Sequence, residues 1–211
     1  MEKTIEILIL LHAGFGGIAL LAGLVSMIAK KGRKVHKKSG LLFYYSMLIS
    51  AITAMVVALM PNHENPFLFA VGIFSMYFIL TGKRALKYKH KNSNLKIDRW
   101  ISIVMIITGM LMIFLPIVIS KSIHIILCVF ALVGIVFSVW DLSLYKNPEK
   151  LKNSWLKLHL GKMIGAYISA TTAFVVVNEF FPGMYGWFIP GIVGGFFIAY
   201  WIRKLKKKTS G

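Results

Sequence analysis

A single cysteine, Cys128, stands in an apolar run, so this chain can form no intrachain disulfide and offers no CxxC pair for a metal or redox centre. Acid is also scarce. Only 7 Asp and Glu face 25 Lys and Arg, and no two carboxylates share an apolar segment, which leaves two-carboxylate acid/base chemistry without support. HExxH, GxSxG, P-loop and GxGxxG motifs are all missing, and with them metalloprotease, serine hydrolase and nucleotide-driven activities. The last apolar run has no central lysine for a retinal Schiff base. Nor do the two halves show inverted symmetry or paired Gly/Pro-broken segments of the kind secondary transporters carry.

What is present is mostly apolar. Hydrophobic residues make up 57% and charged residues 15%, at a mean hydropathy of +0.73, whereas soluble domains are about one quarter charged. A single all-α, polytopic membrane domain over residues 1–211 is the expected class. The net charge of +18 would suggest nucleic acid if it lay on one soluble face. Instead, 23 of the 25 basic residues fall into four clusters, Lys30–Lys38, Lys83–Arg99, Lys146–Lys162 and Arg203–Lys208, alternating with apolar runs. Dispersed over short connections, this charge is placed to meet the lipid bilayer at anionic headgroups, and no nucleic-acid partner is expected.

Seven segments approach the roughly 20 apolar residues that cross hydrocarbon, at about 5–29, 40–60, 66–83, 100–119, 122–145, 156–178 and 184–202. The first exceeds a signal-peptide core of roughly 7–15 residues and reads as a retained span. Pro61 to Pro66, the charged stretch Lys83 to Arg99, and Phe181-Pro182-Gly183 supply breaks, and Ser120-Lys121-Ser122 implies a tight hairpin. With seven crossings the four basic clusters fall on one side, which predicts an outside N-terminus and a cytoplasmic C-terminus. Trp100, Trp155, Trp187 and Trp201, with Tyr44, Tyr88, Tyr145 and Tyr185, fall near span ends as an aromatic belt. Small residues four apart, Ala13/Gly17, Ala19/Gly23, Gly161/Gly165/Ser169/Ala173 and Gly191/Gly195, predict close helix packing centred on spans one, six and seven.

Ionisable side chains inside spans are costly, so each is a candidate functional group. They are His12, His124, Asp141, His159 and Lys162, with His36 just ahead of span two. His36, Asp141, His159 and Lys162 lie toward the basic ends of their segments; His12, and more shallowly His124, lie toward the other. Two histidines on different helices at one depth are what axial ligation of a b-type haem requires. His36 and His159 meet that condition better than His12 and His124. Leu11-His12-Ala13-Gly14 and Leu158-His159-Leu160-Gly161 also share LHxG, where glycine would admit a flat macrocycle, and Met163 lies one turn beyond His159. The alternative for each histidine is a satisfied interhelical hydrogen bond. His63 and His90 read as solvated loop residues. Asp141 needs a cation, with Arg84, Arg99 or Lys162 in reach, either as a salt bridge locking helix ends or as a proton-transfer group. Asp98 beside Arg99 suggests a similar tie at the mouth of span four.

Leu11 through Leu20, the connection Lys31 through Gly40, the stretch Tyr77 through Arg84, and His159 through Tyr167 with Thr172-Ala173-Phe174 resemble small bacterial multi-pass membrane proteins grouped under domain of unknown function 2306. The resemblance spans nearly the whole chain. It implies a bacterial inner-membrane location and carries no catalytic role; His12, His36 and His159 are the histidines that match the pattern. The leading functional expectation is a haem- or quinone-linked redox component with His36 and His159 as cofactor contacts, His12 in a second site, and haem b as the cofactor. A non-redox membrane protein is the alternative: a small-solute or lipid-binding carrier, or an accessory subunit, with structural histidines.

Overall fold

The apolar runs form seven α-helices in a computed structural model: α1 (Glu2–Ile28), α2 (Lys34–Val57), α3 (Pro66–Arg84), α4 (Lys96–Ser120), α5 (Ile125–Leu144), α6 (Pro148–Val177) and α7 (Tyr185–Thr209). The structure describes residues 2–90 and 93–209, with side chains through Leu205; Lys91 and the side chains of Lys206, Lys207 and Lys208, members of two basic clusters, lie outside the described residues. All seven helices are long and apolar enough to cross a membrane, and no strand occurs among the described residues. The chain is a multi-pass helical membrane protein.

Helix ends depart from the apolar runs where capping extends them. α6 begins at Pro148, eight positions ahead of the apolar run that starts at about 156, because Asn147 accepts a hydrogen bond from the Lys150 amide at 3.0 Å and proline suits the first helical position. Asn65 and Pro66 start α3 in the same way. α2 likewise begins early, at Lys34, after Gly32 takes φ +77° in the turn from α1. Hydropathy locates the hydrocarbon-spanning part of a helix; hydrogen bonding decides where the helix stops. Between α4 and α5 the tight hairpin turns on Lys121, left-handed at φ 49°.

Side-chain registers establish an up-and-down order. His12 meets Ser50 while Ser26 meets His36, which makes α1 and α2 antiparallel over their length. Gly82 abuts Met163, Gly165 abuts Phe78 and Ser75 bonds Ser169 between α3 and α6; Gly109 meets Ile135 and Gly134 meets Met105 between α4 and α5; Gly194 meets Ile168 between α6 and α7. All three interhelical basic connections therefore share one end of the bundle with the C-terminal end of α7.

The core differs from the expected grouping of spans one, six and seven. α3 is central, with Phe74, Tyr77, Phe78, Ile79 and Thr81 buried, packed on Phe43 and Met47 of α2, Met105 and Met112 of α4, Phe130 and Ala131 of α5, and Ala166 of α6. α7 is peripheral. Its packing glycines are Gly194 and, at its start, Gly186, whereas Gly191 and Gly195 have nothing within 4 Å of an added Cβ, and the same holds for Gly17 and Gly161 on the other expected faces. Four-residue spacing shows that small residues share a face, but the neighbour that covers a face is set elsewhere in the chain. The outer surface is apolar, with Leu10, Leu21, Val118 and Phe196 among the exposed side chains, as lipid contact requires.

Candidate functional site

Two polar clusters lie toward the basic end. The first joins α1, α2, α3 and α6 through histidines. His36 Nδ1 is 2.9 Å from the Ser26 carbonyl, His159 Nδ1 2.8 Å from the Gly82 carbonyl, and, toward the opposite end, His12 Nδ1 2.8 Å from the Ser50 carbonyl. A carbonyl oxygen only accepts, so each Nδ1 must donate, and in the neutral ring Nε2 is left with a bare lone pair. None of these Nε2 atoms has a hydrogen-bond partner among the described residues. His36 and Lys83 lie close enough to His159 to act on it electrostatically across the mouth between α2 and α6. About 10 Å deeper, at 1.5 Å per residue, Phe43 and Tyr167 close that gap with ring centroids 6.0 Å apart, and Gly23 of α1 admits both rings. His12 sits at the far end of the same helix pair, away from this cleft, and His124 bonds only its neighbour Ser122, so the outer histidines form no matching pair. Met163 packs over Gly82, and His63 and His90 are exposed.

The histidine contacts expose a repeat. His12, Gly16 and Ser26 of α1 recur as His36, Gly40 and Ser50 of α2, 24 residues on. Each histidine is clasped by the serine of the other helix, and each glycine makes room for that same serine: an added Cβ on Gly16 would lie 3.2 Å from Ser50 Oγ, and one on Gly40 3.2 Å from Ser26 Oγ. Ser26→Ala and Ser50→Ala are each expected to lower stability by only about 0.6 kcal/mol, the average for interhelical hydrogen bonds in membranes. Reversible unfolding in detergent measures this, and a loss of several kcal/mol in either variant would contradict so local a role.

The second cluster joins α3, α4, α5 and α6. Of the three cations in reach of Asp141, the structure selects Lys162, whose Nζ lies 2.7 Å from Asp141 Oδ2 with both side chains buried. The Tyr77 hydroxyl donates to the same oxygen at 2.6 Å and accepts from Lys162. Lys162 also faces the rings of Tyr77, Phe137 and Phe78, at 4.2, 5.0 and 5.5 Å from their centroids. Arg84 pairs with Asp98 instead, in a bidentate fork of Nε to Oδ1 at 2.7 Å and Nη2 to Oδ2 at 2.6 Å. Arg99, next in sequence, points away from Asp98's buried face and is exposed, with no ion pair among the described residues. Successive helical residues are turned about 100° apart, so Asp98 and Arg99 cannot both face the core.

Three tyrosines, none expected in this role from the sequence, knit the cluster. The Tyr88 hydroxyl donates to Asp98 Oδ1 at 2.6 Å and lies 3.2 Å from the Tyr145 hydroxyl. Burial, reinforced by the neighbouring carboxylates, pushes the Tyr88 and Tyr145 hydroxyls well above the usual phenol range, so both remain protonated donors. Tyr88 and Tyr145 read from the sequence as an interfacial belt, yet they are 3% and 4% exposed and turned inward. Their signal was periodicity: Ser138, Asp141 and Tyr145 share one face of α5, Asp98 and Ser102 one face of α4, and Tyr77, Thr81 and Tyr88 one stripe of the α3 segment.

No protein-family model, curated protein or solved structure matches this chain, so the functional reading rests on these two clusters.

Proposed function

We propose that this protein is a haem-linked redox component of a bacterial inner membrane, in which His36 and His159 at the basic, cytoplasmic end would hold the haem. The observation that carries the reading is the fixed tautomer. Both imidazoles donate from Nδ1 to main-chain carbonyls of neighbouring helices, an arrangement that orients metal-ligating histidines and leaves Nε2 able to bind iron. The surroundings fit. Phe43 and Tyr167 provide an aromatic floor, and Lys34, Lys37 and Lys83 at the basic end would offer positive charge to a haem's carboxylates. When bound, the group would supply one-electron transfer; the chain's part is to hold the two rings in place and keep water from the inner face.

The four basic clusters support a cytoplasmic C-terminus and contact with anionic headgroups. Arg84, Lys87 and His90 surround a hollow of about 320 Å³ at that surface. Purified protein supplied with haem is expected to show a Soret band that His36→Ala and His159→Ala each abolish and His12→Ala leaves intact. Absence of the band in haem-loaded wild type would leave the histidines as interhelical ties and favour the non-redox carrier or accessory subunit.

A further inference from the structure

We propose that the carboxylate cluster is a proton half-channel, running from the basic-end surface to Asp141 and closed beyond it by an aromatic plug. This does not depend on haem. The path begins at Asp98, held by Arg84 at the rim of the basic-end hollow, and continues through Tyr88 to Tyr145. At its inner end Tyr77 and Lys162 converge on Asp141. From Tyr88 to Tyr77 the α3 segment covers about 16 Å at 1.5 Å per residue, about half of the ~30 Å hydrocarbon thickness.

The independent observation is a pair of hydroxyls. Ser102 Oγ of α4 and Ser138 Oγ of α5 are fully buried and have no hydrogen-bond partner among the described residues. Each lies within long, weak reach of a tyrosine hydroxyl, Ser102 of Tyr145 and Ser138 of Tyr77, without the geometry of a formed bond, so both stand between the two ends of the path. A buried hydroxyl with unused capacity costs about 1–3 kcal/mol unless something polar meets it, and a proton-carrying water between Tyr145 and Asp141 would bond both. Past Tyr77 the seam ends. Phe74 stacks edge-on against Phe78 and Phe130, each at 4.9 Å, Met105 is fully buried, and the hydroxyls at that level, Ser75 and Ser169, are committed to each other and to the Val71 carbonyl, so no free acceptor continues the path.

The transfer needs no redox partner. Tyr88 rests donating to Asp98, so a proton arriving on Asp98 first turns the Tyr88 hydroxyl proton toward Tyr145; each hydroxyl then takes up a proton on its lone pair as it releases its own to the next. The last link gives its proton to Asp141, converting carboxylate to carboxylic acid while Lys162 keeps its charge. The titratable and charged groups facing Asp141 and Lys162 are Tyr77 from α3, Tyr145 from the end of α5, the Asp98–Arg84–Tyr88 group from α4 and α3, and His159 one turn away on α6.

Infrared spectroscopy of the full chain in lipid nanodiscs after an acidic pH jump tests this. Wild type is expected to develop a protonated-carboxyl band that shifts in D2O and is lost in Asp141→Asn. Ser102→Ala/Ser138→Ala, which keeps every ion pair, is expected to fold with wild-type stability but develop the band roughly a hundredfold more slowly, the lower range for a positioned proton-transfer group. Should Asp141→Asn fail to fold, the double serine variant decides alone. No band in wild type, a band that survives Asp141→Asn, or wild-type kinetics in the double serine variant would each overturn the half-channel.

Discussion

Replacing Asp141 alone by leucine is expected to cost about 3–5 kcal/mol, enough to leave little folded protein, because it strands the Lys162 ammonium in the bundle interior. Lys162 would keep the Tyr77 hydroxyl and three ring faces, of Tyr77, Phe137 and Phe78. A desolvated cation–π contact is worth about 2 kcal/mol or more, which offsets part of the loss and cannot replace a carboxylate at 2.7 Å. Asp141→Leu/Lys162→Leu should then recover most of the stability, since exchanging a whole buried pair for apolar residues is often neutral or favourable by about 1–4 kcal/mol. Unfolding midpoints in detergent for both single variants and the double variant complete the cycle. A single variant that melts with wild type would mean the pair is wetter than its burial indicates. Recovery of fold in the double variant also separates stability from function: the half-channel requires that this stable protein no longer take up the proton.

The crossings and their basic end were legible because both depend on runs of residues rather than on any one contact. Apolar length sets the number of helices and lysine clusters mark the connections, whatever the helices do to one another. Partner choice was not legible. The sequence left Asp141 with three candidate cations, and only the depth of Lys162 on α6 against α5 decides among them, while Arg84 is claimed by Asp98 just across the α3–α4 connection. Tyr88 and Tyr145 misread for a related reason: a tyrosine at a span end suits the interface and the interior equally, and the helix face it occupies separates the two. The serine clasps of His12 and His36 were hidden in another way. A serine in a membrane helix ordinarily bonds its own backbone, as Ser75 also does here with Val71, and only the 24-residue recurrence of His, Gly and Ser between α1 and α2 marks Ser26 and Ser50 as different.

Gly82 is where the two clusters meet, and Gly82→Val is expected to disrupt both. An added Cβ there would lie 3.0 Å from the Met163 backbone nitrogen, 3.0 Å from its Sδ and 3.1 Å from Lys162 Cβ. The methionine sulfur can swing aside, but the backbone nitrogen and Lys162 Cβ move only if α6 moves. Separating α3 from α6 stretches the 2.8 Å bond from His159 to the Gly82 carbonyl on one side and draws Lys162 from Tyr77 on the other. Overpacking of this kind costs about 1–3 kcal/mol, occasionally more, and here it adds to the loss of a buried ion-pair geometry. Gly82→Val should therefore lower the unfolding midpoint and abolish any histidine-dependent Soret band, even though it removes no ligand. Gly82→Ala, with one methyl, should do the same to a smaller degree. Gly191→Val on α7, where nothing lies within 4 Å, is the matched control and should behave as wild type. Equal effects at positions 82 and 191 would mean that valine harms these helices through the backbone alone, and the close crossing of α3 and α6 would lose its role in holding His159.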